Sequence, residues 1–214
     1  MAYFSKIDVL IDNPDSWIWE YESEILRLLS GFTKQLHIYK DMNLIDAGDI
    51  LFLLSCNRLL PENILSRHIN NIIVHESDLP KGKGWSPLSW QVEAGYNEIP
   101  ITLFEAAKKV DNGAWYLKDK IILSGYELID EIREKQLRKT LEMIDYFLKN
   151  YPMFPKPQKG DETFYPKRNF KHQELDINAT IMDMFNKLRV CDNERYPAHF
   201  YINNKKYIFK IYRE

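Results

Sequence analysis

The chain has 214 residues, 45% of them hydrophobic and 28% charged, with a formal net charge of -2. These figures permit one sizeable core and give no global electrostatic drive toward nucleic acid, which calls for a basic footprint. The longest apolar runs fall short of the roughly 18 residues of a membrane span, and the N-terminal "MAYFSKIDVLID" lacks the pattern of a signal peptide, so a soluble, cytoplasmic protein with no membrane partner is expected.

In chain order, "KIDVLID" alternates as a strand does, and "NPDS" supplies turn residues and a helix cap. "WIWEYESEILRLLSG" then carries Trp17, Tyr21, Ile25 and Leu28 at helical spacing. "QLHIY" and "DILFLLS" are the next strands, the second apolar on both faces as a central parallel strand is. "LPENILSRH" predicts a short helix, and "NIIV" a buried strand that delivers His75 at its C-terminal end. In open α/β sheets that is the edge where ligands bind. "PKGKG" follows, then Ser86 and Pro87 open a helix over "PLSWQVEA". "PITLFEA" and "AWYLKDKIIL" are strands flanking "KKVDNG", whose Asp-Asn-Gly puts Asp111 on a tight turn. Residues 126–150 carry apolar side chains at the period of one long amphipathic helix.

Composition shifts at residue 151. "YPMFPKPQKGDETFYPKRNFKHQ" holds four prolines and five Lys/Arg against two Asp/Glu, as a functional segment or a linker would. "DINATIMDMFNKLRV" reads as a helix, and "AHFYINNKKYIFKIY" as a hairpin across Asn-Asn. The domain reading is 1–150 as the main α/β domain and 151–214 as an extension made of a wrapping loop, a helix and a hairpin.

Cys56 and Cys191 are the only cysteines, far apart and without partners at zinc-ligand spacing, so neither a disulfide framework nor a metal is expected. His75, the "PKGKG" loop and Asp111 can converge on one site. A histidine can polarise or protonate a developing oxyanion while a carboxylate orients it and accepts a proton, a pairing that suits acyl transfer to an amine. The Gly-x-Ser-x-Gly elbow, the dinucleotide Gly-x-Gly-x-x-Gly and the Walker loop are all missing.

These residues resemble the folate-dependent formyltransferases, whose signature is His-x-Ser-Leu-Leu-Pro-x-x-x-Gly. It stands here as "HESDLPKGKG", matched at His75, Ser77, Leu79, Pro80 and Gly84 and departing at Asp78. "NEIPITLFEAAKKVDNGAWY" is similar to the family's segment with the catalytic Asp-x-Gly, placing Asp111 and Gly113 at the family's interval. The resemblance covers residues 45–125 and implies a three-layer, Rossmann-like α/β fold with a mostly parallel central sheet. It also implies formyl transfer from 10-formyltetrahydrofolate to an amine, without a metal.

In that reading His75 stabilises the tetrahedral oxyanion, Asp111 supports proton transfer, and Leu54, Ser55, Leu79, Val110 and Gly113 contact the folate. The family's asparagine two residues before the histidine is replaced by Ile73. Asn57, at the end of the neighbouring strand, is the candidate replacement, with a strand-end cap as the other reading; Asn71 is the weaker candidate. Ser77, Lys81, Lys83, Tyr165, Lys167 and Arg168 are candidates for substrate contact, although Ser77 also suits a loop-shaping role and the two loop lysines also suit solvated charges.

The family's transfer-RNA enzymes carry a basic C-terminal domain that a short hairpin does not replace, and its purine-pathway enzyme has a glycine-rich loop where "DNPDSW" stands. The resemblance therefore points to the sugar N-formyltransferases. The expected substrate is a nucleotide-linked amino sugar, a 4-amino-4,6-dideoxyhexose on UDP or dTDP, of the kind used in bacterial surface or flagellar glycans such as the pseudaminic type. A homodimer is open. A non-catalytic folate- or sugar-nucleotide-binding module and a formyltransferase acting on another amine are the alternatives.

Overall fold

The computed structural model describes residues 4–214. Strand β1 (Ile7–Leu10) is flanked in parallel by β2 (Leu36–Tyr39) and β3 (Gly48–Leu53), and β4 (His68–His75) continues parallel beside β3. After the two-residue strand β5 (Lys83–Gly84), strands β6 (Glu98–Glu105) and β7 (Trp115–Ile122) add to the edge antiparallel, giving the order β2-β1-β3-β4-β6-β7.

The period-2 geometry of a strand sends alternate side chains to opposite faces. Ile7, Val9, Ile50, Phe52 and Ile72 join one core, while Leu10, Leu51 and Leu53 join another. The first core is completed by α1 (Glu22–Leu29), by Leu88 and Val92 of α3 (Pro87–Glu93), and by α4 (Ile129–Lys149) through Ile132, Leu137, Ile144, Phe147 and Leu148. The second is smaller and holds Ile64 and Leu65 of the single-turn α2 (Glu62–Leu65). The architecture is thus the mixed α/β fold with a mostly parallel central sheet that the resemblance implies.

Local differences from the sequence reading have local causes. The helix expected from Trp17 opens as a 3-10 turn, Trp17–Tyr21, and is α-helical only from Glu22; Ser16 Oγ accepts the Ile18 amide at 3.3 Å and starts the tighter turn. Ser86 precedes Pro87, but it sits at φ +50° and its side chain caps nothing. The long helix begins at Ile129 rather than Tyr126, where the Glu131 carboxylate accepts the Leu128 amide at 3.0 Å.

Residues 151–173 are a structured strap. Strand β8 (Phe164–Tyr165) pairs in parallel with β5, and Phe170–Gln173 forms a 3-10 turn. Beyond it, α5 (Ile181–Arg189) lies against α3, and the hairpin of β9 (Ala198–Ile202) and β10 (Lys205–Phe209) turns at Asn203 and Asn204. Both asparagines have positive φ, as a two-residue hairpin turn demands. Two buried arginines fasten this part to the rest. Arg189 Nε donates to the Glu127 carbonyl at 3.0 Å, and Arg133 Nη1 lies 2.6 Å from Asp192 Oδ2.

Candidate active site

Strands β3 and β4 are paired in parallel with Leu53 opposite Ile73, so β4 runs just past the end of β3 and delivers His75 at the C-terminal edge of the sheet. At that edge opens a cavity of about 790 Å³ whose lining includes Leu54, Asn57, His75, Glu76, Val110 and Asp111. His75 is the last residue of β4 and is 8% exposed. Its Nε2 lies 3.0 Å from the Gly82 carbonyl oxygen and 3.6 Å from Asp111 Oδ2. A carbonyl only accepts, so Nε2 carries the proton and donates to it.

Asp111 follows β6 in a turn at φ +48°, a conformation that costs a non-glycine residue energy and persists only where its surroundings impose it. Those surroundings are visible. Asp111 Oδ2 accepts the Gly84 amide at 2.8 Å, and Gln158 Nε2, from the strap, donates to the carbonyls of Asp111 and Gly113 at 2.9 and 2.8 Å. A Cβ on Gly113 would stand 1.6 Å from the Glu105 carbonyl oxygen, so only glycine lets the turn fold back on β6. The histidine loop, the aspartate turn and the strap are thus one hydrogen-bonded assembly.

Of the residues picked out for the folate, Leu54, Ser55 and Val110 line the cavity, whereas Leu79 is buried in the loop and Gly113 is buried in the turn. Of those picked out for substrate, Lys167 and Arg168 line it. Lys167 is exposed, its Nζ 4.6 Å from the Trp85 ring centroid, and Arg168 is already paired with Glu93 at 2.6 Å and stacks over Trp90.

Lys83 is corrected most sharply. It is 1% exposed, and its Nζ donates to Asn112 Oδ1 at 2.8 Å and Glu162 Oε1 at 2.6 Å. A lysine buried this deeply needs paired acceptors, and the strap and the aspartate turn supply them. It is therefore neither a solvated loop charge nor free for phosphate. Ser77 is likewise buried inside the loop, its carbonyl accepting from Thr102 Oγ1 at 2.6 Å, which leaves the loop-shaping role and removes substrate contact. Lys81 is exposed but outside the cavity lining; Tyr165 serves the strap, stacked on Trp90.

Ile73, at the position of the family asparagine, packs with Cys56 and Ala106 against the second core. Asn71 is buried with Nδ2 donating to the Leu65 carbonyl at 2.9 Å, committed away from the cleft. Asn57 is exposed at the cavity, its backbone amide held by Asp12 Oδ1 at 2.7 Å. The neighbouring Cys56 is no nucleophile: burial, and then the charge of Asp12, push its thiol up to about 12.

Three residues that the sequence reading passed over belong to the site. Gln158 and Glu162 hold the turn and the loop from the strap, and nothing in a low-complexity-looking segment signals them. Glu76 does carry a signal, its place directly after His75. It lines the cavity, accepts from Gln136 Nε2 at 2.7 Å, and has its carboxyl pushed up by burial and then by Asp111, against the opposing effects of His75 and Gln136. Among the described residues no group of three or more His, Cys, Asp or Glu is arranged to hold a metal, and no helix is long and apolar enough to cross a membrane.

This geometry sits in a segment that known proteins share. Residues 40–143 match the family model described as formyl transferase. The chain is 34% identical over 119 residues to the methionyl-tRNA formyltransferase of Thermosipho africanus, which is 56% of this chain and 39% of that protein. It spans between 39% and 52% of the length of the methionyl-tRNA formyltransferases it matches.

In fold it is similar to the methionyl-tRNA formyltransferase structure from Clostridium thermocellum, with a TM-score of 0.82, 18% identity, and coverage of 97% of this chain and 92% of that one. It is also similar to a 4-N formyltransferase from Francisella tularensis, at TM-score 0.73, 16% identity and 98% of both chains. A third similar structure is HypX from Aquifex aeolicus in complex with tetrahydrofolic acid, at TM-score 0.75, 17% identity, and 98% of this chain and 38% of that one. Residues 40–143 are thus a formyl transferase domain, and that domain contains His75 and Asp111.

Proposed function

We propose that the protein is an N-formyltransferase that moves a formyl group from 10-formyltetrahydrofolate to the amine of a nucleotide-linked amino sugar. The observation that carries this reading is the His75–Asp111 pair, 3.6 Å apart in the lining of the cavity. Leu54, Leu60, Ala106 and Val110 give the cavity an apolar wall suited to a flat heteroaromatic ring, so the residues present fit a folate. That donor, when bound, supplies an activated formyl carbon.

The protein's part follows from its own groups. The amine nitrogen attacks the formyl carbon; His75, oriented through Nε2 by the Gly82 carbonyl and the Asp111 carboxylate, offsets the negative charge that develops on the formyl oxygen. The carbon–nitrogen bond to the donor then breaks, the departing nitrogen takes a proton, and an N-formyl product remains. Asn57, exposed at the cavity next to Ser55, is the candidate for a second donor to that oxygen.

A sugar nucleotide is favoured over a transfer RNA by the net charge of -2 and by the local placement of Lys167 against Trp85 at the rim, a cation and an aromatic face suited to a diphosphate and a base. The test is incubation with 10-formyltetrahydrofolate and a panel of UDP- and dTDP-linked 4-amino-4,6-dideoxyhexoses, following tetrahydrofolate release. Release that depends on the sugar is the expected result. Release only with methionyl-tRNA, or with no acceptor tried, would overturn the proposal.

A further inference from the structure

Glu76 stands out among the cleft carboxylates because it is anchored and yet unneutralised. Its backbone carbonyl accepts from Gln91 Nε2 at 2.7 Å, and its side chain accepts from Gln136 Nε2 at 2.7 Å. Both anchors are neutral amides. The arginine one turn earlier on α4, Arg133, also lines the cavity but is committed to Asp192 at 2.6 Å. Glu76 follows His75 directly in the chain and shares the cavity lining with His75 and Asp111, the pair that would handle the formyl group. Among the described residues no cation pairs with it, and a half-buried carboxylate without one is costly to keep charged. A cationic ligand removes that cost.

The substrate amine is such a cation. An aliphatic amine reaches the site mostly as ammonium near neutral pH and cannot attack until it has lost a proton. We propose that Glu76 receives the acceptor's amino group, binding it as ammonium and taking its first proton; this rests on the reading of the protein as a transferase to amines. The step balances. R–NH3+ gives one proton to the carboxylate, leaving R–NH2 with a free lone pair and a neutral Glu76. The second proton, shed after attack, passes by way of His75 to the donor nitrogen, and Glu76 returns its own proton to solvent when product leaves. A carboxyl that burial makes more basic than usual suits this task, because its affinity for a proton lies closer to that of the amine.

The test compares amino and hydroxyl forms of one ligand. Isothermal titration of the tetrahydrofolate-saturated protein with UDP- and dTDP-linked 4-amino-4,6-dideoxyglucose, and with the corresponding 4-hydroxyl sugars, is expected to show the amino form bound at least about tenfold more tightly. Glu76→Gln, isosteric and neutral, should erase that preference while leaving the hydroxyl form unchanged, and should lower kcat/KM for the amino sugar by a factor that shrinks as pH rises and the amine arrives already free. If Glu76→Gln does not fold, Gln136→Met, which releases the carboxylate without removing it, should weaken the amino form selectively. A folded Glu76→Gln protein that keeps the preference overturns this inference alone. Wild-type protein that transfers formyl to none of the amino sugars overturns the transferase reading and this inference with it.

Discussion

Asp111 accepts the Gly84 amide at 2.8 Å with the same oxygen that stands 3.6 Å from His75 Nε2, so the loop that carries the histidine also aims the aspartate. Removing either charge-bearing group should leave this backbone framework standing. His75→Asn and Asp111→Asn are each expected to lower formyl transfer by at least about a hundredfold, the scale of a positioned acid–base group, with melting curves close to wild type. Single-turnover assays on variants with native circular dichroism check this; near-normal turnover in either variant removes that residue from the chemistry.

The turn and the loop depend on two glycines for steric reasons. A Cβ at Gly113 would meet the Glu105 carbonyl oxygen at 1.6 Å, and one at Gly84, where φ is +96°, would meet the Tyr165 carbonyl oxygen at 2.5 Å. Gly113→Ala must displace the end of β6, with an expected loss of several kcal/mol, because backbone cannot yield as a side-chain tip does. Gly84→Ala should instead detach β8 from β5. The expected signature is selective protease cutting within residues 156–168 and reduced turnover, with the six-stranded sheet still cooperative in urea unfolding. An uncut strap in Gly84→Ala would show that its pairing with β5 is not what holds it.

Acid stability should depend on Asp192. Burial opposes its charge, but the Arg195 amide, the Arg133 guanidinium and the Glu194 amide outweigh that and hold the carboxyl down at about 2. Against an ordinary aspartate near 3.9, this contributes at most about 2.5 kcal/mol at neutral pH. The folded value is depressed, so the contribution is present above roughly pH 4 and disappears as pH falls through about 2. Asp192→Asn should therefore be less stable than wild type at pH 7 by about 2 kcal/mol or more, since it leaves Arg133 buried and unpaired, and the gap should narrow at pH 3. A constant gap between the two pH values would mean that the pair contributes nothing through its charge.

The parts of this molecule that sequence made legible are those governed by local rules. Alternation in "KIDVLID" and "DILFLLS", the helical period of residues 129–149, and the Asn-Asn hairpin turn each follow from the residues themselves. His75 and Asp111 were legible because strand ends and glycine turns fix where such groups emerge. Lys83 was misread because its burial comes from Glu162 and Asn112, residues 79 and 29 positions away. Gln158 was missed for the same reason: its two acceptors lie on a turn about 45 residues earlier, and no periodicity encodes that meeting. The strap looked like a linker because its ordering comes from what it touches rather than from its own propensities.

Lys167 and Arg168 are adjacent but should behave differently. Arg168 is held by Glu93 and Trp90, whereas Lys167 has an aromatic face and, among the described residues, no acidic partner. Lys167→Ala is expected to raise the KM for the sugar nucleotide by about three- to tenfold with kcat little changed, the pattern of uniform binding. Arg168→Ala should instead cost stability by loosening the strap. Equal effects of the two on KM would argue that Arg168 leaves Glu93 to meet the substrate.

The position of the family asparagine is the last open piece of the site, because Ile73 carries no donor and a formyl oxygen held by His75 alone would forgo an interaction worth about 3 kcal/mol in such sites. Asn57, which lines the same cavity as His75, is the proposed replacement. Its backbone amide is pinned by Asp12 Oδ1 at 2.7 Å, so the loop position is fixed while the carboxamide stays exposed at the cavity. Asn57→Ala should lower turnover by roughly a hundredfold, as loss of one oxyanion donor does, with tetrahydrofolate affinity within about twofold of wild type. Asp12→Asn should weaken the tie between Asp12 and Asn57 and give a milder loss in the same direction. Installing the donor at the other position, Ile73→Asn in the Asn57→Ala background, should recover part of the turnover, because Ile73 and His75 lie on the same face of β4. Normal turnover in a folded Asn57→Ala protein would pass the role to a backbone amide of the Ser55–Asn57 turn or to water.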